Sequence, residues 1–249
     1  TFLLLWARIA ALFAVAPVYS SSLISFRVKM LLGFVITAIS FPLLQRSVDP
    51  AEGALAYALA LGFEVFIGLL IGFLTQLIFT AFQVSGQIFS IQLGFGINEV
   101  IDPLTQAELP LIGQFESLMA TLVFFAIDGP EYLVDAAVSS FFVVKTLDLS
   151  HGASAVTASL LGAWKLMFVI ALKLAFPIVT TLFIVTVSLG LLARAAPMMN
   201  VFMLGFPVTI SVGFVAFLMS VPFLVDGMAL VLRNLRADMG FLLKGLATS

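Results

Sequence analysis

The sequence predicts an all-α integral membrane protein built from apolar helical hairpins. Apolar residues make up 62% of the 249 residues and charged residues only 10%, and the mean hydropathy is +1.23. A soluble domain usually carries about 25% charged residues, because its surface faces water. The apolar stretches are also long, and they lack the residue alternation that is typical of strands. Most of the surface of this chain is therefore expected to meet lipid or apolar protein.

Six apolar segments reach, or nearly reach, the ~20 residues that a helix needs to cross a membrane. In chain order they cover residues 2–19, 28–44, 53–83, 109–127, 153–194 and 205–232. Proline, glycine and aspartate signals separate them, at Ala16-Pro17, Asp49-Pro50, Asp102-Pro103, Asp128-Gly129-Pro130, His151-Gly152 and Ala196-Pro197. Arg8 lies inside the first segment, which argues against a cleaved signal peptide.

Two of the segments are too long for a simple crossing. As a helix, residues 53–83 would extend ~46 Å, whereas the hydrocarbon core of a bilayer is ~30 Å thick. The segment 153–194 is longer still, and Pro177 within it is predicted to kink or break the helix. We expect these helices either to tilt or to extend beyond the bilayer.

Four ionisable residues lie inside apolar segments: Glu64, Glu116, Lys165 and Lys173. An ionised group at the bilayer centre costs from about 2.5 to more than 10 kcal/mol, so these side chains should avoid lipid. We interpret them as buried charges that are neutralised by one another or by a neighbouring subunit, with a proton or ion path as the alternative. For Glu64 we expect a basic partner on a neighbouring helix, such as Lys165 or Lys173, or a basic group of a partner subunit.

Glu64 also belongs to a stripe of small and polar residues at every fourth position: Ala56, Ala60, Glu64, Gly68, Gly72, Gln76 and Thr80. Gly68 and Gly72 form a GxxxG motif, which lets two helix backbones approach closely. A four-residue period exceeds one helical turn, so neighbours that follow the stripe should wrap in a right-handed sense. The stripe therefore predicts a helix-packing face.

The segment 86–110 mixes apolar residues with amides, acids and glycines. Such a segment is poorly suited to face lipid, because non-helical backbone needs hydrogen-bond partners or water. We interpret it as a re-entrant or constricting loop, with an ordinary surface loop as the alternative. The residues proposed to form the constriction are Gly94, Phe95, Gly96, Ile97, Val100, Ile101, Asp102 and Pro103.

Sites for catalysis or for metals and cofactors are not expected. The chain has no cysteine and a single histidine, His151, in a predicted connector. The net charge of −2 provides no basic face for nucleic acid.

Four segments in order resemble the FliR family of type III export-gate proteins. They are APVYSSSLISFRVK (16–29), FEVFIGLLIGF (63–73), GQIFSIQLGFGINEVIDP (86–103) and RAAPMMNVFMLGFPVTISVG (194–213). The resemblance implies a FliP-like part over residues 1–150, a FliQ-like hairpin over residues 151–249, and a place in a right-handed helical assembly. It also implies that residues 94–110 plug a channel, although many members carry phenylalanines where this chain has Ile97 and Val100.

The resemblance implies a gate subunit of the flagellar basal body, in the bacterial inner membrane. Its expected partners are FliP-like and FliQ-like subunits, FlhB-like and FlhA-like components, unfolded flagellar proteins in transit and membrane lipid. It implies no catalytic residue. A gate subunit of a virulence-type secretion system is one alternative, and a transporter or channel that acts alone is another. Such a transporter would gather its ionisable residues at one midplane site.

Overall fold

A computed structural model describes residues 1–19, 24–44, 53–94, 111–143, 149–196, 198 and 200–247. The described residues form helices and no strand, so the all-α prediction is confirmed. In chain order the helices are α1 (Phe2–Val15), α2 (Phe26–Leu44), α3 (Ala54–Gln92), α4 (Leu111–Ala126), α5 (Gly129–Val143), α6 (Leu149–Ala195) and α7 (Val201–Ala247).

Two of the predicted breaks show how the local sequence ends a helix. Ala16 adopts an extended conformation (φ −55°, ψ 136°), because the ring of a following proline disfavours the helical conformation in the residue before it. Asp128 has a φ of +59°, a left-handed conformation that aspartate tolerates better than most residues. The chain turns there, and its backbone carbonyl accepts hydrogen bonds from the amides of Glu131 and Tyr132 in the first turn of α5.

The helix α5 is not among the segments that the sequence predicts. Its composition is less apolar than that of the other segments, since it includes Glu131 and Asp135. One of its faces is nevertheless buried, with Leu133, Ala137 and Phe141 each about 1% exposed. Tertiary packing of this face, rather than high overall hydropathy, therefore stabilises the helix.

Two expectations about helix ends were wrong, and of the kink or break expected at Pro177 the structure excludes the break. Residues 86–92 belong to the last two turns of α3, although the sequence placed them in the loop 86–110. Residues 151–152 lie in the first turns of α6 instead of a connector, and α6 continues through Pro177 without a break. A proline removes one backbone hydrogen bond, but the other bonds of a 47-residue helix hold the segment together. The hydroxyl of Thr181 also donates to the carbonyl of Pro177, at 2.9 Å.

The long segments are long helices. The described chain has four helices that are long and apolar enough to cross a membrane: Phe26–Leu44, Ala54–Gln92, Leu160–Ala195 and Met203–Asn234. The bent pair Leu111–Ala126 and Gly129–Phe142 could supply a fifth span. At 1.5 Å per residue, the 39 residues of α3 extend about 58 Å, which is well beyond the ~30 Å hydrocarbon core.

The chain packs as two compact units. The first contains residues 1–79, 124–165 and 232–249, and the second contains residues 80–123 and 166–231. The helices α3, α4, α6 and α7 contribute to both units. The family resemblance divides the chain at residue 150 into a FliP-like part and a FliQ-like part. That division describes similarity to two other proteins and not packing, and it stays a prediction.

The short helix α1 lies at the centre of the first unit. Nine of its fourteen residues are buried, and it packs against α2 and α5. The helix α2 buries mainly the side that faces α1, through Gly33 and Thr37, while Leu31 and Ile39 are 61% and 75% exposed. α1 is thus a core helix, and α2 is a covering helix with an apolar outer face.

The contact between α1 and α2 can be tested by a disulfide. A Cβ atom built at Gly33 would lie 3.5 Å from the Cβ of Ala10, within the range of natural disulfides. The chain has no cysteine of its own. We expect the double variant Ala10→Cys/Gly33→Cys to crosslink under mild oxidation, as a mobility shift that dithiothreitol reverses. The control Ala10→Cys/Gly62→Cys should not crosslink, because nothing lies within 4 Å of a Cβ at Gly62; equal yields would contradict this packing.

Candidate functional site

A buried ion pair connects α1 and α3 in the first unit. The Nε of Arg8 donates to Oε2 of Glu64 at 2.5 Å, and the two side chains are only 1% and 9% exposed. On α5, the hydroxyl of Ser140 accepts from Nη1 of Arg8 at 2.9 Å. The Cζ of Arg8 lies 3.8 Å from the ring centroid of Phe141, which is a cation–π distance. One guanidinium group therefore contacts side chains from two other helices.

The sequence predicted a basic partner for Glu64 but named the wrong residues. Lys165 and Lys173 are exposed on α6, and Arg8 occupies the place that we assigned to them. In the part of the chain that the structure describes, neither lysine forms an ion pair with Glu64. The signal that could have identified Arg8 as the partner is that it is a lone arginine in an apolar segment. Burial removes the hydration of an arginine as it does that of a glutamate, so both residues need a countercharge.

The two glycines of the GxxxG motif hold α3 directly against α1. A Cβ at Gly68 would collide with the carbonyl oxygen of Arg8 and lie 2.9 Å from the Cβ of Ala11. A Cβ at Gly72 would lie 2.9 Å from the carbonyl oxygen of Leu12. Gly68 is one helical turn beyond Glu64, so the close backbone approach lies beside the ion pair.

A second close approach lies in the second unit, where α3 and α4 pack together. A Cβ at Gly86 would lie 2.6 Å from the Cα of Gly113, so only glycines allow the two backbones to approach so closely. The amide of Gln83 donates to the hydroxyl of Ser117 at 3.3 Å. We call this contact the α3–α4 crossing.

Glu116 is buried at the α3–α4 crossing. The residue is 0% exposed, and so is Ser85 on α3, whose hydroxyl lies near the carboxyl group. Neither carboxyl oxygen has a hydrogen-bond partner in the described structure, and the Oγ of Ser85 has none either. An unpaired ionised carboxylate in such a place is energetically very unfavourable. Glu116 therefore differs from Glu64, which has a charged partner.

The predicted plug begins where α3 ends. Gly94 follows the helix with a φ of +87°, a conformation that favours glycine at helix ends. A Cβ at this position would lie 3.0 Å from Cε1 of Phe206 on α7. A cavity of about 440 Å³ adjoins Gly94, and it is lined by Gln92, Leu93, Gly94, Thr186, Ala193, Gly205, Phe206 and Thr209.

The remaining residues of the predicted plug lie outside the described part of the chain: Phe95, Gly96, Ile97, Val100, Ile101, Asp102 and Pro103. Their role stays a prediction. Among the described residues, no three histidine, cysteine or acidic side chains are grouped so that they could hold a metal ion.

Comparison with known proteins places the whole chain in one sequence family. Residues 1–235 match the family described as bacterial export proteins, family 1. The chain is 31% identical to the flagellar biosynthetic protein FliR of Bacillus subtilis, in an alignment that covers 90% of this chain and 88% of that protein. It is 32% identical to the FliR proteins of Pectobacterium carotovorum (84% of this chain, 79% of the relative) and Escherichia coli (83% and 78%).

Proposed function

This chain belongs to family 1 of the bacterial export proteins, and from that membership we propose that it is a subunit of the flagellar type III export gate. The observation that carries the proposal is the similarity to FliR over nearly the full length of both proteins. The chain is accordingly a component of the flagellar export apparatus. The finer proposal is that it forms, with FliP-like and FliQ-like subunits, a channel for unfolded flagellar proteins.

The outer faces of the helices support a role inside a larger assembly. Large apolar side chains are exposed on the surfaces of α2, α6 and α7. Among them are Ile39 (75% exposed), Phe176 (68%) and Met219 (78%). Exposed apolar surface of this extent needs lipid or other subunits to cover it. Helices as long as α3 and α6 exceed the thickness of the hydrocarbon core, and we propose that other subunits cover the parts that extend beyond it.

The proposed location is the bacterial inner membrane, at the flagellar basal body. FlhB-like and FlhA-like components are the proposed further partners. The three relatives described above are flagellar proteins, which favours a flagellar gate over a virulence-type gate. Glu64 is paired with Arg8, and Lys165 and Lys173 are exposed, which disfavours a transporter of the kind that gathers its ionisable residues at one midplane site.

Purification of the intact complex tests this proposal. We expect the chain, tagged and expressed with its native operon, to copurify in mild detergent with FliP-like and FliQ-like subunits at one fixed mass. Expressed alone, it should be degraded or aggregate, because its apolar faces stay uncovered. A monodisperse monomer that unfolds cooperatively on its own would contradict the proposed assembly.

The plug proposal leads to a separate prediction about leakage. Apolar side chains can close a narrow pore by excluding water, and Ile97 and Val100 leave no charge on which an ion could pause. We expect Ile97→Ser/Val100→Ser to assemble normally and to make the membrane permeable to ions. The measurement is conductance across membranes that contain the assembled complex. Equal conductance in the wild-type and variant complexes, at equal assembly, would mean that this segment does not seal the channel.

A further inference from the structure

The proposed gate function assigns no role to Glu116, although it is a buried acid without a countercharge among the described residues. Its carboxyl group is fully buried on an apolar helix, and both of its oxygens lack a hydrogen-bond partner among the described residues. The hydroxyl of Ser85 on α3 is equally buried and equally unpartnered. The two groups lie at the α3–α4 crossing, beside the Gly86–Gly113 backbone contact.

The charged groups of the second unit do not compensate Glu116. In the described parts of α3 and α4 within this unit, Glu116 is the sole titratable residue. The neighbouring helix α6 carries Lys173 and Arg194, and α7 carries Asp226. All three are exposed, and no ion pair in the described structure joins any of them to Glu116. Phe115, the preceding residue, packs against Phe217 of α7 through aromatic rings instead.

Two protonation states of Glu116 therefore have different consequences for the crossing. As a neutral acid, the carboxyl group can donate a hydrogen bond to Oγ of Ser85, which gives one carboxyl oxygen and the hydroxyl oxygen a partner. As a carboxylate, it would need water or a cation, and the crossing admits neither while Gly86 and Gly113 are in contact. Loss of the proton should thus be coupled to local separation of α3 and α4, a sub-global opening of the kind that folded proteins undergo.

We propose that Glu116 and Ser85 form a proton-binding site that holds the α3–α4 crossing closed. The ligand is a single proton on the carboxyl group of Glu116, shared as a hydrogen bond with Oγ of Ser85. When the crossing opens, the proton passes to water and the carboxylate that remains is hydrated. The two helices that meet here are the ones that precede and follow residues 95–110 in the chain.

A single buried cysteine can report the opening. Ala120 lies one turn after Glu116 on α4 and is 0% exposed, and the chain has no other thiol. The Ala120→Cys protein would be prepared within its complex, with and without Glu116→Gln, and treated with a small methanethiosulfonate reagent. Glutamine has a similar shape and cannot ionise, so it keeps the crossing in its closed state at every pH.

The measured quantity is the modification rate of the Ala120→Cys protein divided by the rate of the same protein in the Glu116→Gln background. We expect this ratio to rise about tenfold from about pH 6 to about pH 9. The division removes the ordinary effect of pH on thiol reactivity, which both backgrounds share. The control site is Met198→Cys, because Met198 is 98% exposed and lies between the candidate membrane spans of α6 and α7; its rate ratio should stay constant. A constant ratio at Ala120 as well would overturn the proposal, because it would show that ionisation of Glu116 does not open the crossing.

A second substitution keeps the test decisive if Glu116→Gln fails to assemble. Methionine at this position has no ionisable group and fills a similar volume. The Glu116→Met background should then replace Glu116→Gln as the reference, because its crossing should stay closed at every pH. A Glu116→Met protein whose Ala120→Cys rate depends on pH as strongly as that of the Glu116 protein would also contradict the proposed site.

Discussion

Replacing Glu64 by glutamine is expected to destabilise the first unit by about 3–5 kcal/mol, because it strands the buried guanidinium of Arg8 without its countercharge. Arg8 is 1% exposed, so water cannot replace the lost carboxylate without opening the contact among α1, α3 and α5. The measurement is the amount of chain in purified membranes, together with the temperature at which half of the detergent-solubilised complex aggregates. Both should fall well below the wild-type values.

Two comparisons decide whether this loss comes from the Arg8–Glu64 pair. Replacing both partners, as in Arg8→Met/Glu64→Leu, leaves no unpaired charge, and a buried pair replaced by apolar residues is often neutral or stabilising. The double variant should therefore be more stable than either single one. Lys173→Met and Lys165→Met remove exposed lysines and should change little. If Lys173→Met were as harmful as Glu64→Gln, and the double variant gave no recovery, Arg8 would not be the functional partner of Glu64.

Replacing Gly68 by alanine should produce the second large loss. The added Cβ would meet a backbone carbonyl of α1, which cannot move aside as the end of a flexible side chain can. Overpacking of this kind costs about 1–3 kcal/mol, and Gly68→Leu should be worse, because it cannot fit between the backbones at all. The amount of assembled complex recovered by copurification is the readout for both variants.

Gly62 provides the matched control on the same helix. No atom lies within 4 Å of a Cβ at Gly62, and alanine is favoured over glycine inside a helix by about 1 kcal/mol. Gly62→Ala should therefore be neutral or slightly stabilising within this chain. Equal losses from Gly62→Ala and Gly68→Ala would indicate a general intolerance of α3 rather than a specific contact with α1. Gly68 and Glu64 are one turn apart, so their combined effects should not be additive.

The sequence was sufficient for the membrane class, because that class depends on composition and on segment length alone. It was also sufficient for the breaks near Pro17 and Asp128, because a proline restricts the residue before it and aspartate tolerates a left-handed conformation better than most residues. It was not sufficient for α5. A helix with Glu131 and Asp135 is stabilised by burial of its opposite face, and that burial depends on residues that are far away in the chain.

The contrast between Glu64 and Glu116 shows the same limit at the level of single side chains. The sequence placed both carboxyl groups in apolar segments and described them in the same way, because hydropathy measures only the segment in which a residue lies. Glu64 meets Arg8, which is 56 positions away along the chain, whereas Glu116 meets a serine and no countercharge.

The sequence by itself thus determined the all-α membrane class, the family resemblance and the residues whose burial would be costly. Only the tertiary structure decided which of them are buried and which of the buried ones has a countercharge. The reason is that the cost of burying a charge is a property of the residue, while its compensation depends on which atoms of other helices lie within about 3 Å. For Arg8 and Glu64 that proximity follows from Gly68 and Gly72, which let α1 and α3 approach until their backbones touch.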